Sequence, residues 1–163
     1  MNPFDDFMEI AIEEAKKARD KDEVPIGAAL FTSTGEFIAS DHNKTLAAKD
    51  PSAHAEMLCI RKAALEMQNY RLLNTILCVT IEPCVMCMGA ALHARIAVVV
   101  FGAGDPKWGA LGSIYDFSCD PRFNHHPEIV RGVREYECKA LVQDFFKEKR
   151  NKQKNGGLFN ESS

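Results

Sequence analysis

Phe4, Phe7, Met8, Ile10, Ala11, Ala15 and Ala18 recur at helical spacing with acidic residues between them. This predicts an amphipathic helix that starts at Asn2-Pro3, a capping residue followed by a first-turn proline, and ends near Arg19. Val24 to Phe31 is instead a continuous apolar run with its proline near the start, which reads as a strand. Thr32-Ser33-Thr34-Gly35 is a hairpin turn, Glu36 to Ser40 the returning strand, and Asp41 to Lys44 a polar loop at its exit. After Asp50-Pro51-Ser52 a second helix runs from His54 to about Met67, with Ala55, Leu58, Cys59, Ala63, Leu65 and the stem of Lys62 on its buried face. Thr75 to Ile81 is rich in β-branched residues and reads as a buried strand of the parallel kind. Pro83 opens a third helix that lasts to about Ala94, and Ile96 to Phe101 is another buried strand. Strand, helix and strand at this spacing form a βαβ unit, so the fold class is α/β. Residues 102–128 read as a long loop and Glu128 to Val133 as a short edge strand. Glu135 to about Lys149 is a last helix, with Cys138, Leu141, Val142, Phe145 and Phe146 at helical spacing.

A chain of 163 residues that is 46% hydrophobic is long enough for one domain with a sizeable core. That domain is placed at residues 1–150, followed by a flexible, initially basic tail at 151–163. No apolar run can span a bilayer, and the N-terminus lacks the basic start and apolar run of a secretion signal, so the expected location is cytoplasmic. In that compartment thiols stay reduced, and the six cysteines point to metal binding or burial rather than disulfides. Residues 147–154 carry five positive charges against one negative in a chain of net charge −3, so the rest is strongly acidic. A basic edge on an acidic body suits a polyanion, but charge alone points first to a solvated helix end.

Chemistry concentrates in two segments, His54-Ala55-Glu56 and Pro83-Cys84-Val85-Met86-Cys87. Cys84 and Cys87 lie three apart near a helix start, on one face, where the helix N-terminus favours thiolate. His54 opens a different helix. One imidazole and two thiolates make the three protein ligands of a catalytic zinc site, whose fourth position belongs to water. A redox pair would be expected beside a thioredoxin-like pattern, which is absent. A closed structural zinc would need a fourth ligand. Cys59, Cys78 and Cys138 fall within predicted elements, where cysteine packs as a small hydrophobe, whereas Cys119 in the long loop stays open as a fourth ligand. Zinc lowers the pKa of bound water from about 15.7 to near 7. Glu56, not needed as a ligand, is then free to carry protons from that water to a ring nitrogen and on to a leaving amine, which is hydrolytic deamination. H-x-E followed by P-C-x-x-C is the pattern of zinc-dependent base deaminases, tRNA adenosine deaminases among them.

Longer segments narrow the choice. Val24-Pro25-Ile26-Gly27-Ala28, Asp50 to Glu56, Met67-Gln68-Asn69-Tyr70-Arg71-Leu72, Thr80 to Cys87, His93-Ala94-Arg95-Ile96, Phe101-Gly102-Ala103, Gly109 to Ser113, Asn124-His125 and Asp144-Phe145-Phe146 resemble the bacterial tRNA-specific adenosine deaminases, from about Phe4 to Arg150. The resemblance implies a three-layer α/β/α cytidine-deaminase-like fold with a central five-stranded mixed sheet, one zinc ion per subunit, and a homodimer. It implies hydrolysis of the wobble adenosine to inosine in a tRNA anticodon stem-loop. By the same resemblance Asn43 holds the flipped-out nucleotide, the backbone of Ala55 recognises the base, and Glu82 and Pro83 line the leaving-amine side. Asp105 and Lys107 contact the anticodon loop, and Phe145, Phe146, Lys149 and Arg150 belong to a C-terminal helix that packs and reaches RNA. The chain departs from its relatives at Gly104, where a side chain is usual, and at Trp108, where a small residue is usual. That indole is available to stack on a base or to pack between subunits.

Two other functions compete. A deaminase of a free base or nucleoside, guanine or cytosine, shares the metal motif but has no use for the basic last helix or for Asp105 and Lys107. A zinc module that only binds RNA has no use for Glu56.

Overall fold

The computed structural model describes residues 2–156. Its elements are α1 (Asp5–Asp20), β1 (Gly27–Thr32), β2 (Phe37–His42), α2 (Thr45–Ala48), α3 (Ala55–Met67), β3 (Thr75–Ile81), α4 (Val85–His93), β4 (Val98–Ala103), β5 (Glu128–Val130) and α5 (Glu135–Gly156). The strands form one five-stranded mixed sheet in the order β2-β1-β3-β4-β5. β1 runs antiparallel to β2 and to β3, and β3, β4 and β5 are parallel. β3 is therefore parallel to β4, as its sequence suggested, and antiparallel to β1, which makes the sheet mixed.

Alternation along each strand builds the layers, because successive side chains point to opposite faces. Ala28, Leu30, Leu77, Val79, Val99 and Phe101 join Cys59, Ile60 and Ala63 of α3 and Met88 and Ala91 of α4 in one core. Ala29, Phe31, Ile76, Cys78 and Val100 join Met8, Ala11 and Ile12 of α1 and Cys138 of α5 in the other. The result is helices on both faces of the sheet, the expected α/β/α arrangement. Gly27 is where α1 crosses β1 most closely: a Cβ there would lie 1.9 Å from the Ala11 carbonyl oxygen.

Several boundaries differ from the sequence reading. Asp41 and His42 belong to β2, because Ala28 and Gly27 pair with them and extend the hairpin. α1 begins at Asp5 with Phe4 at the capping position; Asn2 accepts the Phe4 N–H (2.9 Å), two residues too early to cap the helix. On α3 the buried stripe is Ala55, Glu56, Cys59, Ile60 and Ala63, whereas Leu65 is 80% exposed. The stripe follows i and i+4, and position 65 falls on the opposite side. α5 continues past Lys149 to Gly156, and its last turn is basic, which suits a helix C-terminus. Of the tail expected to be flexible, 151–163, residues 151–156 continue this helix, and the remainder lies outside the described residues.

The connections place the chemistry. β2 and β3 are both antiparallel to β1, so they point the same way and end at the same edge of the sheet. α3 follows β2 through a loop and α4 follows β3 directly, so both helices begin at that edge.

Candidate metal centre and substrate edge

His54 and Cys84 are each the residue before a helix, held in extended conformation with φ −74° and −78° respectively. Neither side chain is spent on capping its helix, so both are free to face the space between the two N-termini. Cys87 sits one turn into α4. His54 Nδ1 lies 3.6 Å from Cys84 Sγ and 3.5 Å from Cys87 Sγ. Tetrahedral zinc with Zn–S of about 2.3 Å and Zn–N of about 2.05 Å requires S···N separations of about 3.6 Å, so the donors stand where this ion needs them. Together these residues form one close ligand group, and Cys119 is not part of it. The site thus has the three-ligand form that leaves a position open.

The three donors share protons among themselves. Hydrogen bonds from the Cys87 thiol and from His54 hold Cys84 down to about 4, a ready thiolate. Cys87 is pushed up by the hydrogen bond it shares with Cys84 and by burial. His54 is raised by its bond to Cys84. Burial pushes up the remaining thiols of Cys59 and Cys78, and that of Cys138 to about 12, as fits their packing in the two cores. Glu14, Asp41 and His42 form a second close group. Its carboxylates are already answered by lysines, Glu14 by Lys17 and Asp41 by Lys44 and Lys62.

Glu56 lies in the first turn of α3, is only 4% exposed, and its carboxyl is pushed up by burial. Spacing of two along a helix normally separates faces, but His54 precedes the helix and Glu56 is its second residue. The Cys87 thiol is a hydrogen-bonding neighbour of the Glu56 carboxyl, which places Glu56 beside the ligand group without joining it.

Residues 1–103 match the family model of the cytidine and deoxycytidylate deaminase zinc-binding region. The tRNA-specific adenosine deaminase of Haemophilus influenzae is 44% identical over 152 residues, covering 93% of this chain and 88% of that protein. The Bacillus subtilis enzyme of the same name is 47% identical over 148 residues, covering 91% of each. The chain belongs to the tRNA-specific adenosine deaminase family. A solved structure from a study of A-to-I editing by tRNA A34 deaminases superposes with a TM-score of 0.80 at 42% identity, covering 83% of this chain and 98% of that one. A guanine deaminase from Bacillus subtilis superposes less well, with a TM-score of 0.60 at 29% identity, covering 93% and 95%.

In this deaminase-family chain the residues expected on the substrate side fall into distinct settings. Asn43 follows β2 and is buried, and among the described residues its side-chain amide makes no hydrogen bond. Its neighbour Lys44 donates its backbone N–H to Ala53 (3.0 Å), which ties Asn43 to the start of α3. Ala55 is fully buried at the first helical position, where its N–H has no partner within the helix. Pro83 is buried, and its carbonyl accepts the Ala110 N–H. Asp105 Oδ1 accepts the N–H groups of Lys107 (3.0 Å) and Trp108 (3.3 Å), shaping the loop that leaves the Lys107 and Trp108 side chains exposed.

The C-terminal helix divides its residues between packing and surface. Phe145 is buried, while Phe146 is 43% exposed with its ring set edge-on to Phe145 at 5.4 Å. Lys149 pairs with Asp22 and lies over the Phe145 ring. Arg150 is exposed and, among the described residues, unpaired.

Sequence reading missed what Glu82 does. Its buried carboxylate accepts the N–H groups of Asp105 (3.1 Å), Leu111 (2.9 Å) and Ser113 (3.2 Å) and the Ser113 hydroxyl (2.5 Å). Burial works to raise its pKa, but these four bonds outweigh it and hold it below the ordinary value. Gly109 makes room for this carboxylate, since a Cβ there would stand 2.2 Å from Glu82 Oε2, and no sequence pattern announces that contact. Nothing in the sequence marked Arg131, which donates to the Leu111 carbonyl and lies over the Phe101 ring at 5.6 Å.

Proposed function

We propose that this protein hydrolyses the wobble adenosine of a tRNA anticodon loop to inosine, releasing ammonia. The observation that carries the reading is the open His54, Cys84 and Cys87 ligand group with Glu56 buried beside it, in a chain that aligns with tRNA-specific adenosine deaminases over nearly its whole length.

A zinc ion held by His54, Cys84 and Cys87 supplies, when bound, a water that is nucleophilic near neutral pH. Glu56 takes the proton of the attacking water and delivers it to the purine ring. It then takes the proton of the newly attached hydroxyl and gives it to the departing amine, so that the carbon–nitrogen bond breaks and the carbonyl of inosine forms. Burial suits it to this work, because a raised carboxyl pKa lies closer to working pH. The adenosine must leave the stack of the loop to reach this edge. The uncommitted amide of Asn43 holds the extruded nucleotide, and the unpartnered N–H of Ala55 bonds the base. Lys107 and Arg150 answer phosphates as exposed cations, Asp105 fixes the loop that presents Lys107, and Phe146 offers a ring to RNA.

Val85, Trp108, Ile114 and Tyr115 are exposed, and they converge through the Cys84–Gly109 bridge and the bonds of Ile114 and Tyr115 to Gly109. An apolar surface of this kind beside an active site supports a homodimer in which the second copy covers it. A sedimentation mass of one chain at micromolar concentration overturns the dimer.

Incubation with an anticodon stem-loop carrying adenosine at the wobble position gives inosine, and free guanine and cytidine are left unchanged. Turnover of guanine or cytidine without inosine formation overturns the assignment. It would favour the small-substrate reading, to which the fold similarity with guanine deaminase lends its support.

A further inference from the structure

The peptide group of Leu111 is gripped at both ends. Its N–H donates to Glu82 Oε2 at 2.9 Å, and its carbonyl accepts from the Arg131 guanidinium. The two partners come from different parts of the sheet. Glu82 is the residue after β3, directly before the Pro83-Cys84 turn into α4, and Arg131 is the residue after β5. Both are themselves fixed. Glu82 is buried with four donors on its carboxylate. Arg131 lies over the Phe101 ring and reaches Asp116 across the same loop at 3.8 Å.

The loop between Gly104 and Tyr115 is fastened at this grip and at several points beside it. The Glu82 carboxylate holds the Asp105 N–H at one end of the loop and Ser113 at the other. Gly109 lies against the carboxylate with no room for a side chain, and it pairs with Cys84 as an isolated bridge. The Pro83 carbonyl takes the Ala110 N–H at 2.9 Å. The loop is thus sewn to the same three residues, Glu82 to Cys84, that deliver the first thiolate to the metal site.

We infer that Glu82 and Arg131 are positioning residues, which set the Asp105–Trp108 turn in register with the metal centre so that RNA held by the turn presents its base to the open position. A carboxylate suits the task on the strand side, since it accepts several backbone N–H groups at once without a competing donor, and charge-assisted bonds are the strong ones. A guanidinium suits the other side, where only a carbonyl is offered. Neither residue has to touch the reacting atoms.

The inference rests on the RNA-deaminase reading, and its test separates the two. Glu82→Gln, Ser113→Ala, Arg131→Ala and the Glu82→Gln/Arg131→Ala pair are compared with the parent on the stem-loop, at a concentration where all sediment alike. Parent activity on the stem-loop establishes the reading itself. Each of Glu82→Gln and Arg131→Ala raises KM about tenfold, a change of the size one lost charged bond produces, with kcat and zinc content near those of the parent. Ser113→Ala raises KM less, because three donors to Glu82 remain. The pair is no worse than its worse member, since either change alone frees Leu111. Parent-like KM in Arg131→Ala overturns the inference. So does a fall in kcat with KM unchanged, or a pair whose losses multiply. Should Glu82→Gln fail to fold, Arg131→Ala and Ser113→Ala decide alone: raised KM in both supports the grip, and parent KM in both refutes it.

Discussion

His54 Nδ1 and Cys84 Sγ stand 3.6 Å apart, and each of the two residues occupies the last position before a helix begins. Two helix N-termini therefore face one small space, and their dipoles favour the negative charge of the thiolates there. Removing one donor breaks the set. Cys84→Ala leaves a chain that folds but holds no zinc after dialysis, against about one ion per chain for the parent, and it forms no inosine. Chelation of the parent abolishes activity, and zinc restores it. Atomic absorption alongside the inosine assay reads both.

Glu56→Gln keeps the shape of the side chain and loses its proton chemistry. The expected result is parent-level zinc and stem-loop binding with kcat lower by at least about 10²-fold, the range that general acid–base catalysis contributes. Retained turnover would show that the proton travels by another group.

Asp41 makes stability depend on acid. Burial raises its pKa, but bonds from Lys44, Lys62 and the His42 N–H outweigh this and hold it below the ordinary 3.8. A carboxyl whose folded pKa lies below its unfolded value stabilises the fold fully above the unfolded pKa, and that contribution is lost as pH falls through the folded one. Asp41→Asn therefore lowers Tm at pH 7, and the gap between variant and parent narrows as pH drops below 3.8. A gap independent of pH contradicts this.

Phe145 and Phe146 adjoin in sequence but differ in burial, at 6% and 43% exposed. Phe145→Ala costs about 3–5 kcal/mol in urea unfolding, as truncation of a buried phenylalanine does. Phe146→Ala costs under about 1 kcal/mol, because surface changes away from special features are small. It weakens stem-loop binding instead, in a filter-binding titration.

Much of this architecture was legible in the chain. The period of Met8, Ala11, Ala15 and Ala18 announced α1, and the uninterrupted Thr75–Ile81 run announced the central strand, because a face or a strand buried on one axis leaves its own period in the sequence. Leu65 misled, since one leucine near the expected stripe looks buried until the direction of the helix against the sheet is known. Asp41 looked like a loop residue because a polar pair at the end of a strand does not show that the hairpin pairing continues opposite Ala28 and Gly27.

The close grouping of His54, Cys84 and Cys87, with Glu56 buried beside it, follows from the sequence alone. His54 and Glu56 lie within three residues, and Cys84 and Cys87 within one helical turn, so each half of the site is built by local geometry. Tertiary structure alone decided what the neighbouring charges do. Glu82 beside the motif turned out to hold a loop, Lys149 on a basic helix found Asp22, and Arg131 found Leu111. Each of those bonds joins segments that meet only because β3, β4 and β5 lie side by side in parallel or because the last helix returns across the sheet, and no local pattern records which partner waits there.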